Sequence, residues 1–335
     1  MFAGLFLAPL FLMIAPVAHS AELEFPPRAF HHALLEPPDG VLHGAGQDPV
    51  AFRDYSRALG PSTRPALFMT YINLAGSRES IERWGKNLTQ ELESWDSRSP
   101  VPQIGLAMVA GKDTGGGRDA LVAEGGCDEQ LEAFVEALRA LGRPAFIRIG
   151  YEFEGSWNGY QPESYKRAFI RIARRLRQAK LDVATVWCSA GASAGNASTA
   201  RMLEFYPGDE WVDWWGIDLF AEHELSSPVT EEFLSAASHH AKPVMIGEST
   251  PRLIGVDRGV ESWKRWFAPY FRLIRRHPGI KAFCYINWEW REWSDRLGFP
   301  WHDWGDARIE RNAEVLQRYR EEIRRAGYLH AHEWP

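Results

Sequence analysis

Short apolar segments alternate with amphipathic segments along most of the chain. The apolar segments are rich in Val, Ile and Phe and have no polar face, which is typical of strands covered on both sides. The predicted strands are residues 41–45, 66–72, 103–109, 145–149, 183–188, 212–219, 243–247 and 281–286. Between them, polar and apolar residues at helical spacing predict helices at 78–94, 128–141, 164–178, 197–205, 260–276 and 309–326.

This alternation defines the fold class. Eight strand–helix units in roughly 300 residues predict a (β/α)8 barrel, and a barrel of this size is ordinarily one domain, here residues 21–335. A doubly wound open sheet is the alternative. No glycine-rich phosphate fingerprint follows the first predicted strand, which argues against a dinucleotide-binding sheet.

Composition narrows the class of protein further. The chain is 45% apolar or aromatic and 24% charged, an ordinary globular balance. Its net charge of −6 and the lack of a basic cluster with interleaved aromatic residues argue against a nucleic-acid partner. Cys127, Cys188 and Cys284 are too few for a disulfide framework and fit no metal-site spacing, and the last two lie in apolar strands where cysteine acts as a small hydrophobe.

The first 20 residues predict a signal peptide and therefore a secreted or periplasmic protein. Their apolar core is followed by Ala18 and Ser20, small residues at the positions that precede a cut before Ala21. No Lys or Arg precedes the apolar core, so a retained N-terminal anchor is the alternative.

Charged residues occur where the fourth predicted strand ends, in the sequence RIGYEFEGSWNGY from Arg148 to Tyr160. Because side chains alternate along a strand, Arg148 faces the barrel interior, and Glu152 does so too if the extended geometry persists that far. An arginine and a glutamate inside a barrel are costly unless they are paired or functional. The carboxyl ends of barrel strands are where barrel enzymes carry their active sites.

Other predicted strands also end in acidic or aromatic residues at the same rim of the barrel. Asp218 ends the sixth strand, Glu248 ends the seventh, and Tyr285, Trp288 and Trp290 lie at the end of the eighth. Two glutamates facing each other suit glycoside hydrolysis, in which one protonated carboxyl assists the leaving oxygen while an ionised one attacks the sugar or activates water. The 15 tryptophans, several of them on predicted rim loops, fit a groove for sugar rings. This chemistry implies no metal and no organic cofactor.

Three motifs make the likeness specific. IRIGYEFEGSWNGY after strand four, FYPGDEWVDWWGIDLF into strand six and KPVMIGE on strand seven resemble glycoside hydrolase family 26, the β-mannanase-type family of the retaining (β/α)8 glycosidases. With the strand order, the resemblance covers most of residues 40–325. It implies Glu152 as the acid/base, Glu248 as the nucleophile, Trp157 as a sugar-stacking residue and Asp218 as a substrate contact. It also implies retention of configuration, with the two carboxyl groups about 5–5.5 Å apart.

The chain departs from the family pattern at three positions. Tyr151 replaces a histidine, Glu154 replaces an asparagine, and Phe220 occupies a position where a tyrosine hydroxyl often orients the nucleophile. These departures leave both glutamates in place but put mannan specificity in doubt and indicate a divergent branch.

The resulting prediction is a retaining glycoside hydrolase that cleaves β-glycosidic bonds in a poly- or oligosaccharide of the mannan or β-glucan class. It is expected to act as a monomer, with no nucleic-acid partner and no membrane contact beyond the export signal. A non-catalytic carbohydrate-binding barrel is the alternative; a metal-dependent hydrolase is disfavoured because the rim lacks clustered His and Asp ligands. The predicted substrate contacts are Arg148, Tyr151, Glu154, Trp157, Asp218, Tyr285, Trp288 and Trp290.

Overall fold

Eight parallel strands close into a barrel with helices between them. The computed structural model describes residues 25–95, 100–111, 116–195 and 197–334, so the predicted signal peptide at 1–20 lies outside the described residues. The strands are β1 Val41–Gly46, β2 Leu67–Asn73, β3 Val101–Ala107, β4 Ala145–Ile149, β5 Val183–Ser189, β6 Trp214–Leu219, β7 Val244–Ser249, β8 Ile280–Ile286 and β9 Tyr328–Leu329.

Strand pairing confirms the predicted (β/α)8 fold. Each strand from β2 to β7 pairs in parallel with the next in sequence, and β1 closes the ring by pairing with both β8 and β2. The short β9 adds to β1 outside the ring. All eight predicted barrel strands form, with bounds within about two residues of those expected. Except for the partly exposed carboxyl half of β2, the barrel strands are buried along both faces because helices cover the outside, which explains why they read as continuous apolar runs.

The helices surround the barrel and begin and end at recognisable signals. They are α1 Pro49–Leu59, α2 Arg78–Glu93, α3 Asp119–Ala123, α4 Asp128–Leu141, α5 Pro162–Gln178, α6 Thr199–Leu203, α7 Pro228–His239, α8 Val260–Ser262, α9 Ala268–Arg276, α10 Trp290–Leu297 and α11 Ala313–Ile323. The α4 helix has the predicted bounds and stops at Gly142, which adopts the left-handed conformation that glycine tolerates.

Two predicted helices are interrupted for local reasons. The segment 260–276 contains a π-helical turn, Trp263–Phe267, which ends two residues before Pro269, a residue that lacks the backbone N–H of a regular helix. The segment 309–326 divides into a 3₁₀ turn, Ile309–Arg311, and α11, because the Asn312 side chain accepts from the amides that begin α11. Neither interruption disturbs the order of strands around the barrel.

Candidate active site

Glu248 lies at the carboxyl end of β7 with 7% of its surface exposed. One carboxylate oxygen, Oε1, accepts from Arg148 Nη2 at 2.7 Å. The other, Oε2, accepts from Gln47 Nε2 at the longer distance of 3.4 Å. Gln47 directly follows β1, so the donors that hold Glu248 come from two other barrel strands or their ends. The carboxylate is thus fixed from one side by a full positive charge and touched from another by a neutral amide.

The Arg148 guanidinium is the centre of the buried network inside the barrel. Its side chain has no exposed surface. Besides Glu248, it donates from Nη1 to both oxygens of Asp218 at 3.1 and 3.2 Å, and from Nη2 to the Tyr71 hydroxyl at 2.7 Å. Burial raises the pKa of Asp218 to about 8, with Glu248 adding to the effect and Arg148 opposing it. Arg148 therefore holds the carboxyl groups of β6 and β7 together.

Close packing around this network requires a glycine at position 247. A side-chain carbon there would lie 2.6 Å from Asp218 Oδ1 and 2.7 Å from Arg148 Nη1. Cys188, which is buried as predicted, donates its thiol to Asp218 Oδ1 at 3.3 Å. Position 247 therefore has no room for a side chain beside Asp218, Arg148 and Cys188.

The turn after β4 presents Glu152 in an unusual backbone conformation. Glu152 has a φ of +51°, in the left-handed region that only glycine adopts readily. Its amide donates to the Cys188 carbonyl at 2.8 Å, and its carbonyl accepts from Gly155 N at 2.9 Å and from Asn158 Nδ2 at 3.0 Å. The extended geometry of β4 does not persist to Glu152, the condition on which the alternation of side chains would have placed it inward: a hydrogen-bonded turn positions this side chain instead.

Glu152 has an environment unlike that of Glu248. Burial, followed by the negative charges of Glu248 and Asp218, raises the pKa of Glu152 well above its usual range. Its Oε2 accepts a hydrogen bond from the indole Nε1 of Trp157 at 2.7 Å, which acts to lower that pKa. The influence of Glu248 on Glu152 means that the two glutamates lie within electrostatic reach of each other across the barrel mouth.

Two tyrosines line the space between these glutamates and Arg148. The Tyr71 and Tyr151 rings meet edge to face with centroids 5.2 Å apart. The Arg148 guanidinium carbon lies 5.4 Å from the Tyr71 centroid and 4.9 Å from that of Tyr151. Both tyrosines are half-buried, and burial is the largest of the influences that raise their pKa values. Tyr151, which replaces the family's histidine, thus supplies an aromatic face beside the charged network.

Several predicted sugar contacts are enclosed by protein and need correction. Glu154 is 6% exposed and accepts from the Ser189 hydroxyl and from Ala190 N at 3.3 Å; burial raises its pKa to about 7. Asp218 and Arg148 are each 0% exposed because they satisfy one another. Arg148 and Asp218 therefore present no surface to a sugar, and Glu154 presents very little.

The aromatic residues at the end of β8 are corrected for a similar reason. Tyr285 is 0% exposed and donates to the Ala307 carbonyl. Trp288 is 3% exposed and stacks on Trp293 with centroids 4.0 Å apart, while Trp290 is 2% exposed and donates to Thr250 Oγ1 at 3.0 Å. Packing against other aromatic rings or backbone groups buries these three side chains, so they offer no open surface on which a sugar ring could stack. The half-buried tryptophan rings in this region are Trp293, Trp301 and Trp304.

Sequence reasoning missed Gln47, Tyr71 and Asn158. Gln47 and Tyr71 come from the end of β1 and from β2, strands whose apolar pattern drew no attention to polar positions. The strand-end rule that selected Glu248 could have found Gln47, the first residue after β1. Asn158 bridges the carbonyls of Tyr151 and Glu152 at 3.0 Å each, a contact that only the folded turn reveals.

Metal-binding geometry is not found in the described ranges, where no group of three or more His, Cys, Asp and Glu side chains could hold an ion. Among the helices that the structure describes, none combines the length and apolar character needed to cross a bilayer.

Sequence comparison finds similarity to known glycoside hydrolases. The sequence model of Glycosyl hydrolase family 26 matches residues 123–271, which include both glutamates. A Beta-1,3-xylanase of Alcaligenes sp is 29% identical over 328 residues, covering 89% of this chain and 67% of that protein. Beta-1,3-xylanase TXYA of Vibrio sp is 29% identical over 322 residues, covering 87% of this chain and 67% of that protein.

A solved structure supports the fold. The Cellulomonas fimi endo-beta-1,4-mannanase double mutant matches with a TM-score of 0.62 at 18% identity, covering 88% of this chain and 73% of that chain. The chain is therefore a (β/α)8 glycoside hydrolase, a retaining enzyme that cleaves β-glycosidic bonds. Over residues 123–271 its sequence is similar to Glycosyl hydrolase family 26.

Proposed function

We propose that this enzyme hydrolyses β-1,3-linked xylan by double displacement, with Glu152 as acid/base and Glu248 as nucleophile. The main support for these roles is the contrast between the surroundings of the two carboxyl groups. Glu248 meets the Arg148 guanidinium at 2.7 Å, whereas Glu152 sits among negative charges that raise its pKa. Retaining glycosidases need one ionised and one protonated carboxyl on opposite sides of the same bond.

In the first step, Glu152 gives its proton to the glycosidic oxygen while Glu248 attacks the anomeric carbon. The bond from that carbon to the leaving oxygen breaks, a carbon–oxygen bond to Glu248 forms, and the leaving sugar departs as an alcohol. Oε1 of Glu248 is held by Arg148, so Oε2, which has only the longer contact to Gln47, is the attacking oxygen. Arg148 keeps the carboxylate oriented throughout.

In the second step, Glu152 takes a proton from water as the water oxygen attacks the anomeric carbon and the ester bond to Glu248 breaks. While Glu248 is esterified, it carries no charge. The contribution that its charge makes to the raised pKa of Glu152 is then absent, so the pKa of Glu152 falls and the group is ionised at the stage that needs a base. One electrostatic coupling thus serves both steps.

The proposed substrate rests on relatives and on the departures from the mannanase-type motif. Both curated relatives reported above are named beta-1,3-xylanases. Tyr151 and Glu154 stand where the family motif has histidine and asparagine, and both contribute to the turn that carries Glu152 or to its surroundings. Xylan lies outside the mannan and β-glucan classes predicted from the sequence.

The test combines a substrate panel with chemical rescue. Purified enzyme is assayed on β-1,3-xylan, β-1,4-xylan, β-1,4-mannan and β-1,3-glucan, with turnover expected to be highest on β-1,3-xylan. The E248A variant should be inactive on all of them, and azide should restore turnover of a dinitrophenyl β-xylobioside with formation of the α-glycosyl azide. Full activity of E248A would refute the assignment, and preference for mannan would refute the substrate.

We also propose export and a monomeric state. The apolar pattern of residues 1–20, with small residues before Ala21, supports a cleaved signal peptide. N-terminal sequencing of the protein recovered outside the host cytoplasm should begin at Ala21, and light scattering should give the mass of one chain. An uncleaved, membrane-pelleted product would favour a retained anchor.

A further inference from the structure

The two oxygens of the Glu152 carboxyl group are not equivalent. Oε2 lies 2.7 Å from Trp157 Nε1, whereas Oε1 has no hydrogen-bond partner among the residues that the structure describes. An indole N–H can only donate, so Oε2 must accept. We propose that Trp157 is a positioning residue that keeps the transferable proton on Oε1 of Glu152 and aims that oxygen at the glycosidic bond. This inference rests on the proposed acid/base role of Glu152.

The indole is held rigidly enough to do this. Trp157 lies in the same turn as Glu152, five residues further along the chain. A side-chain carbon at Gly155 would come within 2.4 Å of the Trp157 ring, so the ring packs directly against the backbone. Asn158 holds the other side of the turn by donating to the Tyr151 and Glu152 carbonyls at 3.0 Å each. The donor is therefore oriented before substrate arrives.

The hydrogen bond has a consequence in both steps of the reaction. A proton on Oε2 would face the indole hydrogen, so the protonated acid carries its proton on Oε1 and transfers it from there. After transfer, the ionised carboxylate keeps its bond to Trp157 through Oε2 and accepts the proton of water at Oε1. A hydrogen bond to a charged acceptor is stronger than one to a neutral acceptor, so Trp157 favours the basic form that the second step needs.

Positioning and sugar stacking predict different kinetics for the same residue. A ring that only stacks on a sugar contributes to binding, so its loss raises KM and leaves the pH dependence unchanged. A ring whose N–H holds the acid/base affects kcat, and its loss raises the pKa that governs the basic limb of the pH profile. Phenylalanine at 157 keeps an aromatic face but removes the N–H, which separates the two roles.

The experiment compares W157F with wild-type enzyme on the best polysaccharide of the panel and on a dinitrophenyl β-xylobioside. On the polysaccharide, kcat should fall about 10- to 100-fold with KM within about twofold. The basic limb of kcat/KM should move up by about one pH unit. The dinitrophenyl substrate needs no protonated acid to leave, so its kcat/KM should change by less than about threefold.

The matched control is W84F. Trp84 lies on α2 and stacks on Phe134 with centroids 5.8 Å apart, and its indole nitrogen has no partner within the described parts of the chain. Its replacement by phenylalanine should leave both pH limbs and the ratio of the two substrates' rates as in wild type. A raised KM for W157F with an unmoved basic limb would overturn the inference in favour of stacking.

Two further results separate this inference from the proposed function. If E152Q retains polysaccharide activity, the proposed function fails and the inference fails with it. If E152Q is inactive on polysaccharide while W157F behaves as wild type, only the inference fails. A measurement that does not need W157F to fold uses ¹⁵N-tryptophan-labelled wild type: one indole N–H resonance should titrate with the basic-limb pKa and cease to do so in E152Q. Absence of any such resonance would overturn the inference.

Discussion

The ends of β4 and β7 each present one glutamate to the barrel mouth, by different structural means. At β7, Glu248 is still part of the strand and is paired with a fully enclosed arginine. At β4, the strand has already ended, and a left-handed turn carries Glu152 to a neutral donor, Trp157. One side chain is fixed by charge and the other by backbone geometry and an indole N–H.

This difference is the basis for the opposite roles proposed for two identical side chains. A guanidinium beside Glu248 complements a negative charge, as a nucleophile requires. Around Glu152, burial and two nearby carboxyl groups favour the neutral acid, and the neutral Trp157 only partly offsets them. The proposed roles of the two glutamates therefore differ because their neighbours differ.

Removing the positive charge of Arg148, which pairs with Glu248 of β7, should have the largest effect on both stability and kcat. The R148M variant leaves Asp218 and Glu248 buried without their cation, so unfolding free energy in urea should fall by about 3–5 kcal/mol and kcat by at least about 10³-fold. The exposed pair of Arg57 with Asp54, at 2.7 Å, provides the control. R57M should change stability by less than about 1 kcal/mol and leave kcat unaltered. Wild-type kcat in R148M would contradict the proposed orientation of Glu248.

A pH-dependent stability change should follow from the β4 side. Glu154, two residues after Glu152, has a pKa raised to about 7 by burial, so the folded state keeps this proton to higher pH than the unfolded chain. Unfolding free energy should therefore fall as pH rises from about 4.5 to 7, by about 3 kcal/mol from this group. E154Q should remove that part of the fall. Urea titrations at pH 5 to 8 measure it, and equal pH slopes in both proteins would contradict the burial of Glu154 as an acid.

A smaller effect is expected from the Tyr71 hydroxyl. Y71F removes the acceptor that Arg148 Nη2 reaches at 2.7 Å but keeps the ring beside Tyr151. Arg148 retains both carboxylates, so kcat should fall by about 10-fold and stability by about 1–2 kcal/mol. Y55F is the control, since the Tyr55 hydroxyl bonds Tyr319 at 2.9 Å within the core and should affect stability alone. Equal losses of kcat in both variants would contradict the claim that the Tyr71 hydroxyl affects kcat through its contact with Arg148.

The smallest effect should come from Gln47. Its amide reaches Glu248 Oε2 at 3.4 Å, a long contact compared with the 2.7 Å ion pair on the other oxygen. Q47L should therefore lower kcat by about 3- to 10-fold without moving the basic limb of the pH profile, because it leaves the surroundings of Glu152 intact. Steady-state kinetics over pH 4 to 9 test this. A shift of the basic limb would mean that Gln47 acts on the acid/base instead.

Much of this arrangement could be predicted from the sequence. The strand β4 has the predicted bounds, and the inward position of Arg148 follows from the alternation of side chains along it. Continuous apolar runs predicted all eight barrel strands, since a strand covered on both faces leaves no other pattern. The glutamates at the ends of β4 and β7 followed from the rule that barrel sites collect at strand ends.

The remaining features depend on tertiary contacts that a linear pattern does not encode. Trp288 and Trp290 looked like open sugar platforms, but packing with Trp293 and a bond to Thr250 enclose them. The left-handed conformation of Glu152 is set by hydrogen bonds to the Cys188 carbonyl and from Asn158, not by the local propensity of glutamate.

The helix α1, by contrast, was missed although its start is encoded locally. It could have been predicted, because Asp48 and Pro49 form a common helix start.

The division of labour between the two glutamates is tested most directly by trapping the covalent intermediate. Wild-type enzyme is incubated with a 2-deoxy-2-fluoro-β-xylobiosyl fluoride, digested, and sequenced by mass spectrometry. If Glu248 is the nucleophile, one fluoro-glycosyl group per chain is attached to Glu248 and none to Glu152. A label on Glu152, or on any residue other than Glu248, would contradict it.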